Sequence, residues 1–311
     1  MAFVEMKGVV KRYGDKISVD HLDLSIREGE IFGLLGPNGA GKSTTINMMS
    51  GLMKLDQGNI VVDGISVKDH PLDVKRRIGL VPQELALYET MSAADNVTFF
   101  GKLYGLRGKL LKVRVEEALE FVGLSDRAKE KPTTYSGGMK RRLNIACSIM
   151  HHPKLIIMDE PTVGIDPQSR NHILESVRTL NAMGSTIIYT SHYMEEVAAI
   201  SDRVAIMEQG HVIACGTQQE LRERVASHEK IVIKTSQISE AVIDELKLHP
   251  RISKVLASDD MIELYVVSSQ QELQDILFIC AKHNVMIQSL ACEEPNLETL
   301  FLNLTGRKLR D

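Results

Sequence analysis

No run in this 311-residue sequence is apolar for the roughly 18 residues needed to cross a bilayer, so the chain is not expected to span a membrane itself. Its opening residues, Met1-Ala2-Phe3-Val4-Glu5-Met6-Lys7, lack a basic region followed by an apolar stretch. They are not read as a secretory signal, and the chain is expected to stay in the cytosol. Cysteine is sparse: Cys147, Cys215, Cys280 and Cys292 form no C-x-x-C pair. That excludes a zinc site or disulfide framework and leaves reduced thiols that pack. A dominant charge of one sign is missing too. With a formal net charge of −4, nothing in bulk favours nucleic acid as a partner. What remains, 43% hydrophobic and 25% charged residues, is the balance of a globular protein with a sizeable core. The length suits one large domain and a smaller one.

The chain is organised around Gly36-Pro37-Asn38-Gly39-Ala40-Gly41-Lys42-Ser43-Thr44, which fits the phosphate-loop pattern G-x-x-x-x-G-K-[ST]. Ile31 to Leu35 before it read as a buried parallel strand, and Thr45 to Met49 after it continue a helix. Strand, loop and helix are the context that pattern requires. The glycines let successive N–H groups turn inward toward phosphate oxygens, and the helix N-terminus adds its positive end. Lys42 then reaches the β- and γ-phosphates, and the Ser43 hydroxyl completes the coordination of Mg²⁺.

Before this loop, Phe3 to Tyr13 and Ile17 to Ile26 flank a Gly14-Asp15 turn and read as antiparallel strands. Tyr13 ends the first of them, where its ring either packs or stacks on a purine. After the loop, Asn59 to Gly64 and Ile78 to Val81 read as strands, the second ending at Pro82-Gln83-Glu84 beside the nucleotide site. From about residue 84 to 150 the pattern turns helical, an insertion into an α/β domain. It ends in Thr134-Tyr135-Ser136-Gly137-Gly138-Met139-Lys140-Arg141-Arg142. Ser136 is an N-cap and the two glycines expose N–H groups at a helix start, a second anion site. The alternative is an ordinary helix start with Lys140, Arg141 and Arg142 as its solvated face. Next, Leu155 to Met158 form an apolar strand that delivers Asp159 and Glu160 at its carboxyl end, where open α/β sheets bind ligands. Asp159 is placed to hold Mg²⁺, and Glu160 to polarise water attacking a γ-phosphate. Pro167 to Met183 read as a helix, and Thr186 to Thr190 as a strand that exits at Ser191-His192. A hairpin follows around Gly210, then a helix over Gln218 to Val225.

In this order the segments over residues 2 to 225 resemble the nucleotide-binding subunit of an ABC transporter. The resemblance implies a P-loop ABC cassette of α/β class: a mixed sheet core, an antiparallel β subdomain and the helical insertion. By it, Tyr13 is the adenine-stacking aromatic, Gly36 to Thr44 the Walker A loop, and Gln83 the Q-loop residue that senses Mg²⁺ and the membrane subunit. Ser136, Gly137 and Gly138 match the signature motif, Asp159 and Glu160 match Walker B and the catalytic glutamate, Asp166 sits in the D-loop, and His192 matches the switch histidine. Tyr135 and Met139 replace the Leu and Gln of Leu-Ser-Gly-Gly-Gln. Tyr-Ser-Gly-Gly-Met and the closing stretch Glu294 to Arg307 are similar to ABC-2 type exporters, the group with drug- and antibiotic-resistance ATPases.

The resemblance further implies an ATPase that uses ATP and Mg²⁺ and closes as a head-to-tail homodimer or heterodimer. It would work with separate transmembrane permease subunits, peripherally on the cytoplasmic side of a bacterial membrane. An importer ATPase with a ligand-sensing C-terminal domain, or a soluble non-transport ABC ATPase, are the competing readings. The first domain is expected over residues 1–227 and an accessory α+β domain over 228–311. In the latter, a β-α-β-β-α-β succession from Ile231 to Leu290, turning at Asp259-Asp260, is ferredoxin-like. It shows no catalytic constellation, and a packing or dimer-contact role stands beside a ligand sensor.

Overall fold

The computed structural model describes residues 2–225, 229–235, 238–258, 260–293 and 301. The chain forms two compact units that divide after Thr217. The first opens with β1 (Ala2–Tyr13) and β2 (Lys16–Arg27), paired antiparallel across the expected Gly14-Asp15 turn. From Leu22 onward β2 alternates buried and exposed residues, the two-residue period of a strand with one covered face. By contrast every residue of β3 (Ile31–Leu35) is buried, which a strand covered on both faces requires. It feeds the phosphate loop and α1 (Lys42–Met49).

Beyond α1 come β4 (Gln57–Val62), β5 (Ile65–Ser66), α2 (Pro71–Arg77) and β6 (Ile78–Val81). Pro71 starts α2, where a missing N–H costs nothing. The helical insertion holds α3 (Ala93–Leu103), α4 (Gly108–Phe121) and α5 (Gly137–Ile149). Ser92 caps α3 by accepting from the Asp95 N–H, and Ser136 caps α5 by accepting from the Met139 N–H. The unit then runs through β7 (Leu155–Asp159), α6 (Pro167–Ala182), β8 (Thr186–Thr190), α7 (Met194–Ile200), β9 (Arg203–Glu208) and β10 (His211–Gly216). Helices α2 and α7, seven residues each, are too short to show a period in the sequence.

Two sheets result. One is antiparallel, in the order β2-β1-β4-β5. The other, β10-β9-β3-β8-β7-β6, is parallel from β9 to β6 with β10 antiparallel at its edge. Between them one core unites Met6, Leu24 and Ile60 with Phe32, Leu34 and Ile157, and Ile46, Met48 and Met49 of α1 complete it. Because α1 is covered by both sheets, the phosphate loop that starts it is rigidly held. The carboxyl ends of β3, β6, β7 and β8 face one region of the molecule, the ligand side of such a sheet.

The second unit begins with α8 (Gln218–Val225). The division therefore falls earlier than the expected boundary at residue 227, which lies outside the described residues. Gly216-Thr217 before α8 is a helix-start signal in the sequence, but such a signal does not by itself mark a domain boundary. The unit continues with β11 (Glu229–Thr235), α9 (Glu240–Leu248), β12 (Ile252–Ser258), β13 (Met261–Val266), α10 (Ser269–Lys282) and β14 (Ile287–Glu293). Its antiparallel sheet has the order β12-β13-β11-β14, the ferredoxin-like arrangement expected from the element succession. Ile231, Ile233, Ile262 and Leu264 pack with Val242, Leu246 and Ile276 of the two helices. Ser258 pairs with Met261 across the expected turn, of which Asp259 lies outside the described residues. Of the closing stretch from Glu294 to Arg307, all but Phe301 lies outside them as well.

Candidate functional site

The loop between β3 and α1 curls because Gly41, at the N-cap of α1, adopts φ of +106°. A Cβ there would stand 2.6 Å from the Ser18 carbonyl, so the position is closed to any side chain. The loop forms one wall of a cavity of about 360 Å³. Pro37, Asn38, Gly39, Gly41, Lys42, Ser43 and Thr44 line it, facing Tyr13, Lys16, Ser18, Gln83 and Glu160. Gly36 and Ala40 are buried behind that wall. Lys42 is 6% exposed; its Nζ donates to the carbonyls of Gly36 (2.7 Å) and Pro37 (3.2 Å). Burial lowers its pKa from the ordinary lysine value, while the carboxylates of Glu160 and Asp159 oppose that shift.

Glu160 is the point where the strand ends converge. It has φ of +47°, a conformation that non-glycine residues adopt rarely and mostly where geometry is imposed on them. Its N–H donates to Thr190 Oγ1 (2.9 Å), and Thr190 Oγ1 donates to Asp159 Oδ1 (2.7 Å). Its Oε1 lies 3.6 Å from Lys42 Nζ. Its Oε2 accepts from Gln83 Nε2 (3.3 Å) and lies 3.3 Å from His192 Nδ1. Three residues singled out in the sequence, Lys42 of the phosphate loop, Gln83 beyond β6 and His192 beyond β8, thus meet at the Glu160 carboxylate just past β7. Tyr13 is 48% exposed at the cavity edge, its hydroxyl on Met53 Sδ (3.0 Å) and Lys11 Nζ 5.9 Å over its ring.

Ser136, Gly137, Gly138 and Asp166 are not part of that cavity wall. Ser136 and Gly137 are exposed at the N-terminus of α5, and Asp166 caps α6, accepting from the Ser169 N–H (2.9 Å). Donation from the Ser169 backbone and hydroxyl lowers the Asp166 pKa. A Cβ on Gly138 would fall 2.1 Å from Ser169 Oγ, so α5 and α6 touch where that glycine stands. Tyr135, which replaces the usual Leu, is buried and donates its hydroxyl to the Arg127 carbonyl (2.6 Å).

The reading of Lys140, Arg141 and Arg142 as a solvated face fails at Arg141. That residue is 4% exposed and donates to the carbonyls of Pro82 (2.7 Å) and Gln83 (2.6 Å). Arg142 reaches the Val122 carbonyl (2.9 Å), and Lys140 pairs with Glu89. Three further residues escaped the sequence reading: Lys16 and Ser18 in the cavity wall, the latter 3.1 Å from Thr44 Oγ1, and Thr190. Thr190 carries a usable signal, since a hydroxyl closes an apolar strand directly before Ser191-His192.

Residues 19–163 match the ABC transporter family. Over 310 residues the chain is 48% identical to the linearmycin resistance ATP-binding protein of Bacillus subtilis, covering 99% of this chain and all of that one. It is 36% identical to the Nod factor export ATP-binding protein I of Ralstonia nicotianae, covering 99% and 95% of the two chains. Among solved structures it is similar to an ATP-binding cassette described as a dimer in a post-hydrolysis state bound to ADP and Pi. That likeness has a TM-score of 0.63 at 28% identity and covers 69% of this chain and 98% of that one.

Proposed function

The chain belongs to the ATP-binding subunits of the ABC transporter family, and from that premise we propose that it is the ATPase of an ABC-2 type exporter. The observation that carries the chemistry is the Glu160 carboxylate, held at the mouth of the phosphate loop by contacts to Lys42, Gln83 and His192. The loop N–H groups and the N-terminus of α1 bind the phosphates of ATP, and Tyr13 stacks on its adenine. Lys42 exchanges its carbonyl partners for phosphate oxygens. Glu160 takes a proton from the attacking water, and His192, beside it, contacts the γ-phosphate.

Mg²⁺ is a hard cation that takes oxygen ligands. The Ser43 hydroxyl, the Gln83 amide oxygen and the Asp159 carboxylate form an all-oxygen donor set that fits it. When bound, the ion neutralises charge on the β- and γ-phosphates.

Ser136, Gly137 and Gly138 at the start of α5, the first two exposed, are assigned to the ATP of a second subunit, as is Asp166 to its interface. The dimer is closed by γ-phosphate and loosened by its loss. Export is favoured over import because the resistance and export relatives match almost the whole chain, C-terminal unit included.

A groove of about 420 Å³ between α2 and α3, lined by Leu52, Leu72, Phe100, Leu103 and Tyr104, is the proposed seat of the membrane subunits. Leu52, Leu72 and Leu103 are 57%, 68% and 67% exposed, an apolar patch without a cover within the unit. The test is to recover the tagged protein from its native membrane in mild detergent. Polytopic chains without a solute-binding protein should co-purify, and Leu72→Asp with Leu103→Asp should lose them while keeping ATP hydrolysis. A solute-binding protein in the complex would contradict export, and no membrane chain at all would contradict transport.

A further inference from the structure

We infer that Glu196, which does not line the phosphate cavity, is the positioning residue that keeps Glu160 and His192 in register. The inference rests on the ATPase reading. Glu196 lies in the first turn of α7, four residues beyond His192, and is 4% exposed. A carboxylate at that depth is costly unless its surroundings satisfy it. Here its Oε2 accepts three hydroxyls: Thr162 Oγ1 at 2.7 Å, Tyr189 OH at 2.9 Å and Ser191 Oγ at 3.0 Å. Each of those residues is 1% exposed or less. Burial, and then the Glu196 carboxylate, push the Tyr189 phenol well above its ordinary pKa, so it remains a donor.

The partners come from two separate stretches. Thr162 lies two residues beyond Glu160, in the turn that leads to Asp166, and Arg170 sits in the first turns of α6 that follow it. Tyr189 and Ser191 flank Thr190 at the end of β8 and lead into His192. Thr190 ties these stretches at the end of β7, accepting from the Glu160 N–H and donating to Asp159 Oδ1, but it does not reach the turn beyond Glu160. Glu196 supplies the tie farther along, holding Thr162 of that turn against Tyr189 and Ser191. Arg170 adds charge from the same side: its Nε is 3.2 Å from Glu196 Oε1, yet neither atom has a hydrogen-bond partner in an acceptable direction. The guanidinium also lies 4.9 Å from the Tyr193 ring, which in turn is 4.2 Å from the His192 ring.

Because the network does not include the phosphate loop, its loss should show in turnover and spare nucleotide affinity. The experiment uses the full chain with Mg²⁺ and ATP, measuring steady-state hydrolysis, equilibrium binding of a fluorescent ATP analogue and thermal unfolding. In Glu196→Ala, kcat should fall roughly 10²-fold, the effect of a displacement of about 1 Å at a reacting centre. The dissociation constant should stay within about threefold of wild type. Glu196→Gln keeps an oxygen acceptor for the hydroxyls and should recover about tenfold of that loss. Wild-type turnover in Glu196→Ala, or affinity falling in step with turnover, or no recovery in Glu196→Gln, would overturn the inference. Should Glu196→Ala fail to fold, Thr162→Val decides: it removes one donor at constant shape and should lower kcat at unchanged affinity, whereas an unchanged kcat would overturn it. A wild-type chain that neither binds nor hydrolyses ATP would instead refute the ATPase reading, so the two failures are distinct.

Discussion

Replacing Arg141 by alanine should destabilise the first unit and slow hydrolysis together, because one buried side chain ties α5 to the segment carrying Gln83. Arg141 donates to Pro82 O at 2.7 Å and Gln83 O at 2.6 Å, and it has no acidic partner among the described contacts. Hydrogen bonds from a charged group contribute about 1.5–3 kcal/mol each, which sets the gross loss at about 3–6 kcal/mol. Removing the guanidinium also relieves the cost of burying its charge, so the net loss should lie near the lower end, about 3 kcal/mol. In a unit of this size each kcal/mol moves Tm by about 2–4 °C, giving a fall of roughly 6–12 °C. Calorimetry of wild type, Arg141→Ala and Arg141→Lys reads this directly. Lysine restores the charge but not the two-pronged reach, so it should recover only part of the loss. The same preparations should show slower ATP hydrolysis, since Gln83 Nε2 donates to the Glu160 carboxylate at 3.3 Å, the proposed general base. A Tm for Arg141→Ala within about 2 °C of wild type would refute the reasoning.

Two other perturbations follow from single contacts. Gly138→Ala places a methyl 2.1 Å from Ser169 Oγ and 2.6 Å from its Cβ, so α5 must move away from α6. Overpacking of this kind costs about 1–3 kcal/mol, and both a lower Tm and impaired ATP-dependent dimerisation should be measured; an unchanged dimer would contradict the contact. His151 stacks on Tyr104 at 3.5 Å, and burial lowers its pKa to about 4. The unfolded chain therefore takes up a proton below pH 6.5 that the folded chain refuses, so stability is complete above that pH and declines as pH falls toward 4, by about 3 kcal/mol. Between those values the Tm of wild type should drop more steeply than that of His151→Asn, and parallel slopes would contradict the assignment.

The first unit's sheet core was legible because its central strands are covered on both faces and so read as unbroken apolar runs between glycine and polar turns. The phosphate loop was legible because its geometry permits so few residue types. The close meeting of Lys42, Gln83, Glu160 and His192 follows from strand ends that the motif order alone places on one side. What stayed hidden depends on partners distant in sequence. Arg141 looks like one of three surface cations until Pro82 and Gln83 are folded against it. Glu196 sits among ordinary helix residues until Thr162, Tyr189 and Ser191 converge on it. The division after Thr217 is marked locally only by Gly216-Thr217, the same kind of signal that precedes a helix inside a domain. In the second unit, the β-α-β-β-α-β succession revealed the sheet, but nothing in the residues names a ligand for it.

The most direct test of the account is single-turnover hydrolysis of ATP by wild type and Glu160→Gln, with nucleotide binding measured on both and Lys42→Ala as the control for the loop. The amide keeps the size of Glu160 but cannot take a proton, and loss of a positioned general base lowers turnover by about 10²–10⁴-fold. The account predicts that Glu160→Gln binds ATP as wild type does, loses turnover to that extent and accumulates as a closed dimer, while Lys42→Ala loses nucleotide binding or catalysis. Hydrolysis by Glu160→Gln at the wild-type rate would show that the water is activated elsewhere and would contradict the central claim.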